Sequence, residues 1–171
     1  MSSFPVLKRT IIISFLIFIA LCYPGSVQSS EKADLVIVIK SEYKLYLIKE
    51  GKLFAAYPVV FGANPKGHKQ QQGDNRTPEG EYILDYKNVN SKYYKSIHIS
   101  YPNSEDRESA RKRGVSPGGD IMIHGQPNKW GKFSSITQLF NWTNGCIALS
   151  DSDMDAVWNA VDPGTPIQIR P

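Results

Sequence analysis

The chain has 171 residues, with 20 lysines and arginines against 16 aspartates and glutamates, which gives a formal net charge of +4 at pH 7. This excess is small, and no basic stripe interleaved with aromatic residues accompanies it, so the sequence excludes nucleic-acid binding as an expected function. The basic run at 107–113 also contains Glu108 and is typical of a solvated helix surface.

The first 29 residues have the pattern of a targeting segment. Lys8 and Arg9 precede an apolar run at 10–22, and a Pro-Gly pair and small residues follow it. We therefore predict a secretory signal peptide at 1–29 and export to the periplasm or cell envelope. The apolar run is shorter than the about 20 residues of a membrane-spanning helix, so an uncleaved anchor, the only membrane contact we consider, is the alternative. Cys22 follows a bulky leucine, which fits a lipoprotein cleavage site poorly.

The remaining 142 residues are the size of one domain. Short β-branched or alternating runs predict strands, and Pro58 inside the third run predicts an edge strand or a bulge. A long polar loop at 63–79 is typical of a functional segment. The predicted strands are 34–40, 44–49, 52–62, 80–86, 94–101, 121–123 and 165–169, and the predicted helices are 104–113, 134–140 and 151–161. This order predicts a mostly β, sandwich-like domain with two or three short helices.

The helix boundaries rest on capping residues. Ser104 or Asp106 can cap the first helix, which Gly114 ends. Asp151 lies near the cap of the last helix, whose apolar residues recur on one face.

Removal of the predicted leader leaves Cys146 as the only cysteine. In an oxidising compartment a single cysteine is an intermolecular bridge, a buried inert thiol or a reactive nucleophile. Its neighbourhood favours the nucleophile: Gly145 precedes it in a polar turn that leads into an apolar strand. Such a turn exposes the thiol and directs backbone N–H groups towards a substrate oxygen.

The best partner for this thiol is His124, which an apolar strand delivers directly before Gly125. A nearby imidazole lowers a thiol pKa and raises the thiolate fraction. A hydrogen-bonded core histidine is the structural alternative. A zinc site built from His98, His124 and Cys146 is a further alternative, but no CxxC or HxxxH spacing supports it. We expect neither a metal nor a cofactor.

The order of these motifs resembles the catalytic domain of the L,D-transpeptidases. The resemblance covers residues 34–171, essentially the whole mature chain. The matching residues are Gly62, Pro65, Gly67, Gly73-Asp74, Thr77-Pro78-Glu79-Gly80, His124-Gly125 and Thr143-Asn144-Gly145-Cys146. The pairing of HG with GC is the specific part, and TPxG alone would be weak.

This resemblance implies an L,D-transpeptidase-like β-sandwich and an enzyme that acts on peptidoglycan stem peptides. Such enzymes cleave after the L-centre of the third stem residue, often meso-diaminopimelate, and release D-Ala. The acyl group passes to the cysteine and then to an amine, which forms a 3–3 cross-link or attaches a cell-wall protein. By this resemblance Cys146 is the nucleophile, His124 the proton donor and acceptor, and the N–H of Gly145 an oxyanion donor. Substrate-binding roles are expected for Trp142, Thr143, Asn144 and Gly125.

The sequence departs from the family's familiar motif at two positions. Asn144 stands where that motif has histidine, and Ala148 stands where it has arginine. The missing arginine removes a fixed charge that could hold a substrate carboxylate. The departures leave two alternatives open. Water could resolve the acyl-enzyme, which would make the protein an L,D-carboxypeptidase or endopeptidase, or the domain could be a non-catalytic peptidoglycan-binding module.

Overall fold

The computed structural model of the protein describes residues 31–129 and 134–171. The predicted signal peptide, with Cys22, lies outside these residues and stays a prediction. The described part is mostly strand with three short helices, which confirms the predicted fold class. Its elements are β1 (Leu35–Ile39), β2 (Lys44–Lys49), β3 (Lys52–Pro58), β4 (Gly80–Ser91), β5 (Tyr94–Ile99), α1 (Ser104–Lys112), β6 (Met122–His124), α2 (Ser134–Thr137), β7 (Ile147–Ala148), α3 (Asp151–Ala160) and β8 (Thr165–Arg170).

The eight strands form one sheet in the order β3-β2-β1-β8-β4-β5-β6-β7. β1–β8 and β6–β7 are parallel pairs, and the other neighbours are antiparallel. Isolated bridges pair Val60 with Ala148 and Gly62 with Thr143. Through these bridges the segment that follows the edge strand β3 pairs with residues in and before β7, the strand at the opposite edge. The sheet therefore curls. Its two halves face each other across the core, so a single curled sheet achieves the predicted sandwich-like packing.

Alternation along the strands supplies that core. In β1 the buried residues are Val36 and Val38, and in β2 they are Leu45 and Leu47, two residues apart in each strand. Successive side chains of a strand point to opposite faces, so this spacing places one apolar row inside. Each fully buried aliphatic side chain contributes about 1.5–3 kcal/mol to folding.

The third strand shows how the sheet edge is formed. β3 is an edge strand that ends at Pro58, and its pairing with β2 shifts register between Leu47 and Ile48. The predicted edge position of the strand that contains Pro58 is therefore confirmed, whereas the register shift lies between Leu53 and Ala55, before Pro58. β3 is shorter than the predicted 52–62, because the chain after Pro58 leaves β2 and Val60 bonds to Ala148 instead.

The cap of α1 lies one residue before the predicted candidate Ser104, and the cap of α3 lies next to Asp151, as predicted. Asn103 caps α1, and Asp106 completes a capping box with it at the third helical position. Ser150 caps α3, and Asp151 is the first helical residue. The prediction of Ser104 or Asp106 as the cap of α1 is therefore wrong, whereas the prediction that Asp151 lies near the cap of α3 is confirmed. Asn103, Ser104 and Asp106 are all good capping residues, and the sequence alone does not rank them.

α2 ends at Thr137, before the predicted Phe140. Leu139 is 78% exposed, so no apolar face packs on the core to extend this helix. In contrast, α3 packs Met154 and Val157 into the core, as its pattern predicts. None of the described helices has the length and apolarity that crossing a membrane requires.

The polar loop at 63–79 has no helix or strand, as predicted, yet it is firmly held. Lys40 Nζ donates to Glu79 Oε1 at 2.7 Å and to Gly67 O at 2.9 Å. His68 accepts the Glu79 N–H on Nδ1 and contacts Asp106 Oδ1 through Nε2, both at 3.0 Å. These contacts attach the loop to the sheet and to α1.

Candidate active site

Sheet pairing brings the two predicted motifs together. β6 and β7 are parallel, with Ile123 opposite Ile147 and His124 opposite Ala148. Ile123 and Ile147 are fully buried in the core. Because side chains alternate between the faces of a strand, His124 and Cys146 lie together on the opposite face.

The thiol and the imidazole line one cavity of about 320 Å³. Loop residues and aromatic rings form the rest of its wall. The lining residues are Tyr93, Gly119, Asp120, Ile121, His124, Trp142, Thr143, Asn144 and Cys146. The structure thus assembles five of the seven predicted site residues around this cavity.

Cys146 is held in place by backbone groups. Its Sγ accepts the Met122 N–H at 3.4 Å and donates to Asp120 O at 3.6 Å. Burial raises the pKa of the thiol, against the opposing effects of the Met122 N–H and of the positive charge of Lys69. The cysteine therefore rests as a protonated thiol.

His124 is buried, with 3% of its surface exposed. Its Nδ1 lies 2.7 Å from Gly125 O. A carbonyl oxygen can only accept, so Nδ1 carries the hydrogen and Nε2 has a free lone pair. Burial lowers the pKa of His124 to about 4, although the hydrogen bond to Gly125 opposes the shift. The pair therefore rests as thiol and neutral imidazole, rather than as thiolate and imidazolium.

Two aromatic rings pack against the imidazole of His124. The Tyr93 ring lies 4.6 Å from the His124 ring between centroids, and the Trp142 ring lies 5.7 Å away, edge to face. The Trp142 Nε1 donor is buried and has no hydrogen-bond partner within residues 31–129 and 134–171. It is available to an acceptor group of a bound molecule.

The backbone N–H of Gly145 already has a hydrogen-bond partner inside the turn. Its N–H donates to Thr143 Oγ1 at 3.1 Å, and Thr143 Oγ1 in turn donates to Cys146 O at 2.7 Å. The predicted oxyanion donor is thus already bonded inside the turn. Gly145 has a φ of +130°, and a Cβ there would lie 2.6 Å from Arg76 O. Only glycine fits this conformation and this close approach.

Gly125 lies behind His124 and does not line the cavity. Its carbonyl orients the imidazole, and a Cβ at this position would lie 2.6 Å from Asp151 Oδ1. The structure therefore places the Gly125 carbonyl where it positions the imidazole, and the substrate contact of Gly125 stays a prediction. Trp142, Thr143 and Asn144 do line the cavity, as the expectation of substrate binding requires.

The rival histidine lies elsewhere. His98 Nδ1 is 2.7 Å from Asp85 Oδ1, its ring stacks on Tyr86, and it does not line the thiol cavity. The proposed zinc set of His98, His124 and Cys146 is not assembled. In the part of the chain that the structure describes, no group of three or more His, Cys, Asp or Glu side chains could hold a metal ion.

Sequence reasoning missed three residues near the thiol. Tyr93 belongs to the β4–β5 hairpin, Asp120 to the turn before β6, and Lys69 to the polar loop. None lies in a local motif with Cys146, so only their tertiary contacts identify them. The length of the polar loop at 63–79 and its match to the family motif, which includes the TPEG segment at 77–80, were the signals that this loop belongs to the site.

The fold and this site define a class of protein. The family model of YkuD, the L,D-transpeptidase catalytic domain, matches residues 33–169. The chain therefore belongs to the family of L,D-transpeptidase catalytic domains, as the motif resemblance indicated.

Individual relatives agree with this assignment. YafK of Escherichia coli (strain K12) is 31% identical over 120 residues, which are 64% of this chain and 47% of YafK. The helical cell shape determining protein Pgp2 from Campylobacter jejuni matches with a TM-score of 0.59 and 26% identity, over 79% of this chain and 46% of Pgp2. Bd1075 of Bdellovibrio bacteriovorus, with a TM-score of 0.54, 21% identity and the same coverages of 79% and 46%, shows the shared fold alone. The chain spans about half the length of these relatives.

Proposed function

We propose that the protein is a peptidoglycan L,D-transpeptidase that acts through an acyl-enzyme on Cys146. The observation that carries this proposal is the shared cavity of the thiol and the imidazole, with the hydrogen of His124 placed on Nδ1 and the lone pair on Nε2. This is the arrangement that nucleophilic catalysis by a neutral thiol needs.

In the first half of the reaction, the Cys146 sulfur attacks the carbonyl carbon of the third stem residue while the thiol proton passes to His124 Nε2. The C–N bond to D-Ala then breaks, and His124 returns the proton to the leaving nitrogen. The low pKa of His124 keeps Nε2 unprotonated at neutral pH, so the base is ready when the substrate arrives.

The developing oxyanion needs donors. We propose the Cys146 N–H, together with the Gly145 N–H when it leaves Thr143 Oγ1. One such donor is worth about 3–4 kcal/mol of barrier in other enzymes that transfer acyl groups. The hydrogen bond from the Gly145 N–H to Thr143 Oγ1 therefore competes with a large stabilisation of the transition state. Bound substrate would have to displace this hydrogen bond.

In the second half, an amine takes the acyl group from the thioester, which forms a 3–3 cross-link or attaches a protein. We place this reaction in the cell envelope on the strength of the predicted signal peptide and of peptidoglycan as the substrate. The similarity to Pgp2 supports a role in cell shape.

Mass spectrometry of tetrapeptide muropeptides, incubated with purified protein with and without an acceptor amine, tests this function. We expect D-Ala release and an amide-linked product that requires both the acceptor and Cys146. Tripeptide as the sole product in the presence of acceptor would instead show a hydrolase. Unchanged tetrapeptide would show a binding module. Cys146→Ala is the matched control.

A further inference from the structure

A second cavity, of about 590 Å³, opens beside the thiol cavity. It lies between the polar loop at 63–79 and the turn at 116–121. The two cavities share Gly119, Asp120, Ile121 and Asn144. A molecule bound in the second cavity can therefore reach an acyl group on Cys146 without crossing protein.

One wall of this cavity carries a buried cation. Lys69 is 3% exposed, and its ammonium donates to Asp74 Oδ1 at 2.8 Å and to Gln71 O at 3.2 Å. An ammonium has three hydrogens, and the third has no acceptor among the described residues. Lys69 can thus donate to a ligand without giving up either of its own bonds.

The partner of this lysine holds it rigidly. Asp74 also accepts the backbone N–H groups of Gln70, Gln71 and Arg76 at 2.7–3.1 Å. Burial alone would raise the pKa of Asp74, but the hydrogen bonds from Lys69 and from the backbone lower it to about 2. The carboxylate is therefore charged at any physiological pH, and its hydrogen bond holds the Lys69 ammonium in place.

The other charged wall is Asp120, which is exposed. Its backbone has a φ of +55°, a conformation that aspartate and asparagine tolerate better than most residues. The carbonyl of Asp120 accepts from Cys146 Sγ, whereas its carboxylate has no hydrogen bond or ion pair within residues 31–129 and 134–171. Asp120, with this unpaired carboxylate, lines both cavities.

The charges of Lys69 and Asp120 both act on the reacting sulfur. Lys69 lowers the pKa of Cys146 and Asp120 raises it. Ala148, where the family motif has arginine, is fully buried and pairs with Val60, so an arginine side chain has no room there. Lys69, from a different part of the chain, brings a cation to the thiol instead.

We propose that the cavity between Lys69 and Asp120 is the acceptor subsite and that it recognises an α-ammonium carboxylate head group. Asp120 binds the ammonium beside the thioester, and Lys69 binds the adjacent carboxylate. This inference rests on the proposed transpeptidase function. The head group has two sources, a free amino acid or the D-centre of a diaminopimelate side chain in a second stem peptide.

The bound ammonium gives one proton to neutral His124, and the resulting amine attacks the thioester carbonyl. A C–N bond forms, the C–S bond breaks, and the sulfur leaves as thiolate and takes the proton from His124. The second amine proton passes to water as the amide forms. Asp120 and Lys69 bind and orient the acceptor and exchange no proton with it in this step.

Acceptor competition tests the carboxylate half without altering the protein. The donor is the tetrapeptide, and the acceptors are glycine against glycinamide, and a tripeptide ending in diaminopimelate against the same peptide amidated at the D-centre carboxylate. We expect transfer to favour each free carboxylate by about tenfold or more, the effect of one charge-assisted hydrogen bond. Amidation lowers the pKa of the adjacent amine and so raises the fraction that is unprotonated. A site that does not bind the carboxylate would therefore favour the amides.

Asp120→Asn tests the ammonium half, because asparagine keeps the shape and tolerates the same backbone conformation. We expect a rise of about tenfold in the acceptor KM, because the variant loses the charge that binds the acceptor ammonium. Glu108→Gln, which removes an exposed negative charge on α1, is the matched control and should leave the acceptor KM and D-Ala release unchanged.

The outcomes separate the two claims. Selectivity for the carboxylate in only one of the two acceptor pairs supports the subsite and identifies its ligand source. Equal use of acids and amides, or normal acceptor KM in Asp120→Asn, would overturn the subsite while normal D-Ala release leaves the proposed function standing. Absence of D-Ala release from the wild type would contradict the proposed function itself.

Discussion

Two histidines on neighbouring strands have similar aromatic neighbours and very different polar ones. His124 on β6 and His98 on β5 each lie 4.6 Å from a tyrosine ring, Tyr93 and Tyr86. His124 Nδ1 bonds to a backbone carbonyl, whereas His98 Nδ1 bonds to the carboxylate of Asp85. His124 is also the more deeply buried of the two.

This difference shows what makes a histidine a usable base for a thiol. A neutral carbonyl orients the ring without stabilising its charged form as a carboxylate does, so burial keeps His124 neutral. His98 instead contacts the Asp85 carboxylate at 2.7 Å through Nδ1 and does not line the thiol cavity. A tyrosine ring at 4.6 Å is common to both histidines and does not by itself indicate catalysis.

The largest expected effect is the loss of covalent chemistry at Cys146. Carbapenem should add one covalent adduct to the wild-type protein and none to Cys146→Ala, because the resemblance predicts acylation of this thiol. Intact-mass analysis measures the adduct. His98→Ala should keep the adduct, and an adduct on Cys146→Ala would place the nucleophile elsewhere.

The next effect separates the two histidines directly. His124→Ala should cut turnover by about 10²–10⁴-fold, the usual range for a general base. His98→Ala should change it less than about twofold. In His124→Ala, iodoacetamide labelling of Cys146 should shift to higher pH, since the thiol loses its proton acceptor. If His98→Ala moves this profile and His124→Ala does not, the assignment of the base is wrong.

Burial of His124 also predicts acid sensitivity. The unfolded chain binds a proton near pH 6.5 and the folded chain only near pH 4, so stability present at pH 7 is lost as the pH falls between these values. The loss reaches up to about 3 kcal/mol. Urea unfolding at pH 7 and pH 4.5 measures it. His124→Gln, which does not titrate, should lose correspondingly less, and an equal loss in both proteins would contradict the buried, neutral imidazole.

The smallest expected effect concerns the two tyrosines. Tyr93→Ala removes the ring that packs on His124 and exposes the imidazole to solvent. The pKa of His124 should therefore rise towards its ordinary value, and turnover at acid pH should fall by less than about tenfold. The acid limb of the pH–rate profile reports this shift. Tyr86→Ala, the matched change beside His98, should leave the limb in place; a shift in both variants would refute a specific role for Tyr93.

Local patterns predicted much of the fold. The alternation at 44–49 reproduced β2 at both ends, and Pro58 correctly indicated an edge strand. Errors occurred where neighbouring residues compete for one role, as at the cap Asn103. They also occurred where a distant strand draws the chain away, as after Pro58, because such pairing leaves no local trace in the sequence.

What the sequence by itself determined is the chemistry: one cysteine after a glycine, one histidine before a glycine, and a motif order that identified the family. Tertiary structure decided everything that depends on residues far apart in the chain. Parallel pairing of β6 and β7 placed His124 and Cys146 on one face, and Thr143 took the Gly145 N–H. Packing of the polar loop brought Lys69 to the thiol. Composition and spacing specify which groups are present, whereas burial and partners set their protonation and their availability, and these arise only when the chain has folded.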